Sequence, residues 1–291
     1  MDYCAGDIHT ADADRLIRAL QEAFGGGEFD FYTGTAYRHC LVWHGGETAL
    51  GTVTPPHDIT GRVIGPYRMA HPAAAKLQRM MVKSYELLRD HPVNRERAAK
   101  GLRPANAIWL WGQGRRPRLQ NFEERFGVKG VMVSAVDLLK GIGRLSGMTV
   151  CSIPGATGYI DTDYEAKRDA ALRELRAGRD LAYIHVEAPD ECGHRGETEN
   201  KVRAIEDIDR RILTPLLAEL GEMGEYAILI MTDHPTPLAL RTHTADPVPY
   251  LLYRSGQERD SGVGIFTEWA AASTGIFVER ADALMGRLLD R

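Results

Sequence analysis

LAYIHVEAPDECGH, residues 181–194, and YAILIMTDH, residues 226–234, carry the reading of this chain. Each is an apolar run of strand length that passes at once into carboxylate and imidazole residues. Working outward, AIWLWG (107–112), VKGVMVSA (128–135) and TVCSI (149–153) are further short apolar runs. Helical spacing occupies the intervals near 119–126, 137–145, 162–176 and 197–220, the last with Pro215 as a predicted kink. Strands alternating with helices predict an α/β fold with a largely parallel sheet flanked by helices. Ligands of such sheets gather beyond the C-terminal ends of the strands.

That is where the reactive residues fall. Asp190 and His194 follow the first run, Asp233 and His234 end the second, and His243 comes nine residues later in RTHTADPVPYLLY. Two carboxylates and three imidazoles form an oxygen and nitrogen donor set, which suits a first-row dication such as Zn²⁺ or Mn²⁺ better than Ca²⁺. Cys192 lies among them with no second thiol, so a thiolate site has no support.

The part before residue 96 has a different character. Thr10 is placed to cap a helix over about 11–24, which the glycines at 25–27 stop. FYTGTAYRHCLVWHGG (31–46) reads as a hairpin and TPPHDITG (54–61) as a loop. Pro72 then opens a helix whose Leu77, Met80, Met81, Ser84, Leu87 and Leu88 form one face, a core stripe that Pro92 ends. Two domains are expected, 1–95 and 96–291.

The chain has 291 residues and a net charge of -4, so electrostatics argue against nucleic acid as the main partner. No apolar run reaches the roughly 20 residues of a membrane span. The start, MDYCAGDIHT, does not read as a signal peptide, and the four cysteines form no CxxC pair; a cytoplasmic setting is expected. RRPR (115–118) reads as a solvated turn, GIG (141–143) is too short for a phosphate loop, and no GxSxG elbow occurs.

Taken at full length, the motifs resemble one family. HVEAPDECGHRGE (185–197), TDHPTPLALRTHTADPVPYLL (232–252), HPVNRERAAKGLRPANAIWLWGQGRRP (91–117), VKGVMVSAVDLLKGIG (128–143), PGATGYIDTDYEAK (154–167), FYTGTAYRH and TPPHDITG are similar to the archaeal-type cofactor-independent phosphoglycerate mutases. The resemblance implies an alkaline-phosphatase-like sheet, a partial α+β substrate domain, and the interconversion of 3-phosphoglycerate and 2-phosphoglycerate in glycolysis. It implies two divalent metals (manganese, zinc, cobalt or magnesium) and no 2,3-bisphosphoglycerate. Asp190, His194 and His243 would hold one metal, and Asp233 and His234 the other. Lys140 would face the phosphoryl oxygens, and Arg38, His39, His57 and Asp58 would be substrate-domain positions.

Family members begin with a core strand ending in a metal-binding aspartate, followed by a loop bearing the nucleophilic serine. Met1-Asp2-Tyr3 matches the interior of the substrate domain, and no serine stands in a PGSD-like context. The expectation is a truncated sequence lacking the leading core strand, inactive alone, with a complementing N-terminal polypeptide or self-association as partner. The alternatives are a non-catalytic metal-binding remnant, or a scaffold redirected to homoserine phosphorylation or phosphonate chemistry.

Overall fold

The computed structural model describes residues 1–290. The chain divides into two compact units, Met1–Pro117 and the part from Arg118 onward.

In the first unit, α1 (Thr10–Phe24) buries Ala13, Leu16, Ile17 and Leu20, the face its sequence spacing predicts. His9, not Thr10, precedes its first turn; the Thr10 hydroxyl instead accepts the Ala36 N–H at 2.9 Å, fastening the helix start to the hairpin loop. That hairpin pairs β1 (Phe29–Tyr32) antiparallel with β2 (Cys40–Trp43). Helix α2 (Ala75–Leu88) buries Leu77, Met80, Met81, Ser84 and Leu88, so the methionine stripe is core. Pro92 does more than stop it: it starts α3 (Pro92–Ala99), whose first-turn Val93 N–H is accepted by the His91 ring.

AIWLWG differs from expectation. It is extended but belongs to no strand. Backbone groups in and just before it are paired with side chains of the neighbouring helices. Asn94, 1% exposed, accepts the Ala105 N–H at 2.9 Å and donates to the Ala105 carbonyl at 2.8 Å, imitating a sheet partner. Ser84 Oγ accepts from Ile108 N–H at 3.0 Å, and Met81 Sδ from Leu110 N–H at 3.3 Å. Apolar character marked the run as buried; which groups would satisfy its backbone depended on distant residues. Trp109 is half-buried and donates to the Thr54 carbonyl, while Trp111 is exposed, although residues two apart in a regular strand would share a face.

The second unit opens with α4 (Phe122–Phe126), capped by Asn121. Strand β3 (Gly130–Val133) follows, then α5 (Asp137–Leu145), β4 (Thr149–Val150), α6 (Tyr164–Arg176) and β5 (Leu181–Ile184). The three strands form a parallel sheet in the order β4-β3-β5. All of β3 is buried, as a central strand covered on both faces must be. Val131 and Val133 pack on Ala170 and Ala171 of α6. Met132 turns towards α5, where a Cβ on Gly143 would stand 2.9 Å from its own Cβ. The GIG sequence thus serves close helix–sheet packing.

Beyond β5 come α7 (Ala188–Arg195), α8 (Thr198–Asp207) and α9 (Thr214–Met223), with a π-helical turn, Ile208–Leu213, between the last two. Pro215 accounts for the irregularity. It has no N–H to offer the Arg211 carbonyl. Arg168 of α6 supplies the donor instead, at 3.0 Å. β6 (Ala227–Met231) pairs antiparallel with β7 (Tyr250–Arg254), a strand that the alternation argument did not single out. Among the described residues no ladder joins β5 to β6, so the expected single sheet is present as two pieces. The short helices α10 (Glu268–Ser273) and α11 (Ala283–Leu288) complete the unit. No described helix is long and apolar enough to cross a membrane.

Candidate metal centre

Helix α7 begins four residues after β5 and places Asp190 and His194 one turn apart on one face. Asp233 and His234 sit in the loop directly after β6, and His243 in the longer loop leading to β7. Three separate stretches of chain are thereby drawn to one place. Ligand atoms of Asp190, His234 and His243 all lie within 4.8 Å of one another. His194 joins them, its Nε2 3.0 Å from His243 Nε2 and 3.4 Å from Asp190 Oδ2. His243 Nε2 is 3.3 Å from Asp190 Oδ1, and the His234 and His243 rings overlap at 3.7 Å between centroids. Asp233 is the outermost, its Oδ2 3.3 Å from His234 Nε2.

The electrostatics follow from this crowding. Burial alone would raise the Asp190 carboxyl, but hydrogen bonds from His194 and Thr236, with the nearby imidazole charges, hold it well below the usual range. His194 is pushed down by burial and up by Asp190, and the carboxylate wins. His243 moves the other way, lowered by burial and by its imidazole neighbours despite Asp190. His194 Nδ1 faces the Arg241 carbonyl at 2.9 Å; donating there from the neutral ring leaves Nε2 as the lone-pair nitrogen turned to the cluster, whereas the protonated ring turns an Nε2–H to Asp190. One ionised carboxylate among converging imidazole nitrogens is a donor set that fits a divalent cation of the zinc or manganese type.

The remaining candidates each have their own local surroundings. Lys140, on α5, has its Nζ 2.7 Å from Asp137 Oδ1 on the same helix. Arg38, His39, His57 and Asp58 all belong to the first unit. There the Arg38 guanidinium lies over the Tyr37 ring at 4.3 Å, and His39 Nδ1 accepts the Gly34 N–H. His57 sits against the Tyr3 ring at 4.2 Å and the Trp111 ring at 5.4 Å, and Asp58 lies beside it in a 3₁₀ turn, Pro56–Ile59.

Sequence reasoning passed over several residues around the cluster. Thr236 donates to Asp190 Oδ1. Lys201, on α8, donates to the Thr236 carbonyl at 2.7 Å. Ser134 Oγ is 3.2 Å from His185 Nδ1, and Lys167, wholly buried, donates to the His185 carbonyl. Thr236 alone had a signal, its place two residues after His234.

Comparison with known proteins places the chain in a family. A sequence profile of the metalloenzyme superfamily matches residues 56–290, and one of 2,3-bisphosphoglycerate-independent phosphoglycerate mutase matches residues 1–94. A relative from Geobacter sulfurreducens, described as a probable 2,3-bisphosphoglycerate-independent phosphoglycerate mutase, is 47% identical over all of this chain and 72% of its own length. The chain belongs to this family. The Methanosarcina acetivorans mutase is 42% identical over 99% of the chain and, again, 72% of its own length. The chain thus spans 72% of the length of each of these two relatives. A solved Pyrococcus horikoshii structure shares the fold with a TM-score of 0.71 at 24% identity, covering 99% of this chain and 72% of that one. The cofactor-independent phosphoglycerate mutase of Thermoplasma acidophilum gives 0.52 at 24% identity, covering 98% and 71%.

Proposed function

We propose that this chain carries the metal centre and substrate-handling residues of a phosphoglycerate mutase, acting on 3-phosphoglycerate and 2-phosphoglycerate by way of a phosphoserine. The convergence of Asp190, His194, His234 and His243 carries the reading, within a chain that matches the family along its whole length. Asp190, His194 and His243 would hold one divalent ion, and Asp233 with His234 would contribute to a second. A bound dication supplies charge neutralisation on the transferring phosphoryl group and activation of the attacking oxygen. Lys140 would pair with phosphoryl oxygens, exchanging Asp137 for the substrate anion. Arg38, His39, His57 and Asp58 would hold the glycerate carboxylate and hydroxyls while the molecule reorients between the two transfers.

The residues named so far include no nucleophile. Ser134 is hydrogen-bonded to His185 near the centre, but it is 2% exposed and its Oγ already accepts the Val136 N–H. A serine so enclosed does not meet substrate, so the residues assigned above are not expected to turn over without another nucleophile. Loss of a nucleophile costs roughly six orders of magnitude in rate in a well-studied protease.

The test is to assay the chain alone, and then with a leading segment bearing the family's aspartate and serine fused ahead of Met1. Metal-dependent interconversion is expected only in the second case, and Asp233→Ala or His234→Ala should abolish it. Rapid turnover by the chain alone would place the nucleophile within it. A folded, metal-loaded fusion without mutase activity would favour the redirected scaffold, with homoserine and a phosphoryl donor as the next substrates.

A further inference from the structure

Thr236 occupies an unusual position in this centre. It is 5% exposed and follows His234 by two residues, yet it touches groups from both sides of the cluster. Its Oγ1–H donates to Asp190 Oδ1 on α7. The same oxygen is 3.4 Å from His234 Nδ1, where a hydroxyl lone pair can accept an Nδ1–H. Its carbonyl is held by Lys201 Nζ at 2.7 Å, from α8. The packing around this strut leaves no slack. A Cβ on Gly193 would stand 2.7 Å from the Thr236 carbonyl oxygen and 2.9 Å from Lys201 Nζ, so the α7 backbone lies directly on it.

We infer that Thr236, anchored by Lys201, is a positioning residue that aligns Asp190 and His234 as metal ligands. A hydroxyl has one proton and two lone pairs, so the two contacts are complementary. Giving the proton to Asp190 Oδ1 orients the carboxylate and leaves Oδ2 turned to His194. Accepting from His234 Nδ1 fixes the tautomer in which Nε2 carries the lone pair. Lys201 keeps the strut in register with α7 while its charge favours the ionised Asp190. Outer partners of this kind commonly set ligand orientation and metal affinity. The inference rests on the proposed metal centre, and the test separates the two.

The experiment is a Mn²⁺ titration of the chain, read by electron paramagnetic resonance, with metal-free thermal melts as a folding control. Thr236→Val keeps the shape and removes the hydroxyl; it should weaken Mn²⁺ by about 10–100-fold. Thr236→Ser should restore affinity, and Lys201→Met should weaken it in the same direction. Asp190→Ala should abolish tight binding. Parental affinity in Thr236→Val, with binding lost in Asp190→Ala, would overturn the role of Thr236 and leave the centre standing. Unchanged affinity in Asp190→Ala would overturn the centre itself.

Discussion

His194 and His243, 49 residues apart in sequence, bring their Nε2 atoms to 3.0 Å of each other beside the Asp190 carboxylate. Two imidazole nitrogens at that distance share either a proton or a cation. Asp190→Ala combined with His243→Ala should therefore remove the tight ion. Metal analysis after dialysis is expected to fall from close to one ion per chain to none. Unchanged metal content would show that the ion is held elsewhere.

The buried Lys167 gives a prediction about pH. Burial pushes its ammonium down to about 8, against the opposing charge of Glu187. A folded-state value below the unfolded 10.5 means that, between these two values, the unfolded chain binds more protons than the folded one. Stability contributed by this group accordingly rises as pH climbs from about 8 towards 10.5, and the gain is absent below 8. In melts across that range, Lys167→Gln should lack this upward component. Parallel pH profiles for parent and variant would contradict the assignment.

The π turn before Pro215 can be examined by a double-mutant cycle. Arg168→Met leaves the Arg211 carbonyl without its donor and should cost about 1 kcal/mol. Pro215→Ala supplies a backbone N–H in the same place, so the Arg168 substitution should cost less in that background. Strictly additive losses in denaturant melts would show that Arg168 acts by some other route.

β5 pairs only with β3, and β6 only with β7, so each keeps one edge outside any ladder among the described residues. Both are apolar runs, and Tyr183 on β5 and Leu251 on β7 are exposed. Open apolar edges are templates for association. Sedimentation of the chain alone is expected to shift with concentration; a clean monomer with a concentration-independent melt would contradict this.

Much of this was legible in the sequence, for identifiable reasons. The β3 run and the α1 and α2 faces rest on local apolar patterning, which burial then confirms, whereas α5 buries only Gly143 and leaves Leu138 and Ile142 exposed. The metal candidates could be found because they directly follow apolar runs. What could not be read was pairing. Nothing local in YLLYR announces that β7 lies against β6, or that Asn94 will satisfy Ala105. Thr236 and Lys201 escaped because their roles depend on a contact across 35 residues, and neither residue type is distinctive alone.

The Asn94, Ser84 and Met81 contacts have a consequence for how this chain tolerates change. A strand in a ladder is held by peptide groups that every residue possesses, so its grip survives most substitutions. Residues 105–110 are held by side chains, and a side chain can be lost by a single base change. Asn94→Ala would remove three bonds at once: two to Ala105 and one to the Leu88 carbonyl. Hydrogen exchange should then quicken from Ala105 through Leu110 while β1 and β2 keep their protection. One amide thus decides how firmly the start of this stretch is attached, a vulnerability that regular secondary structure exists to avoid.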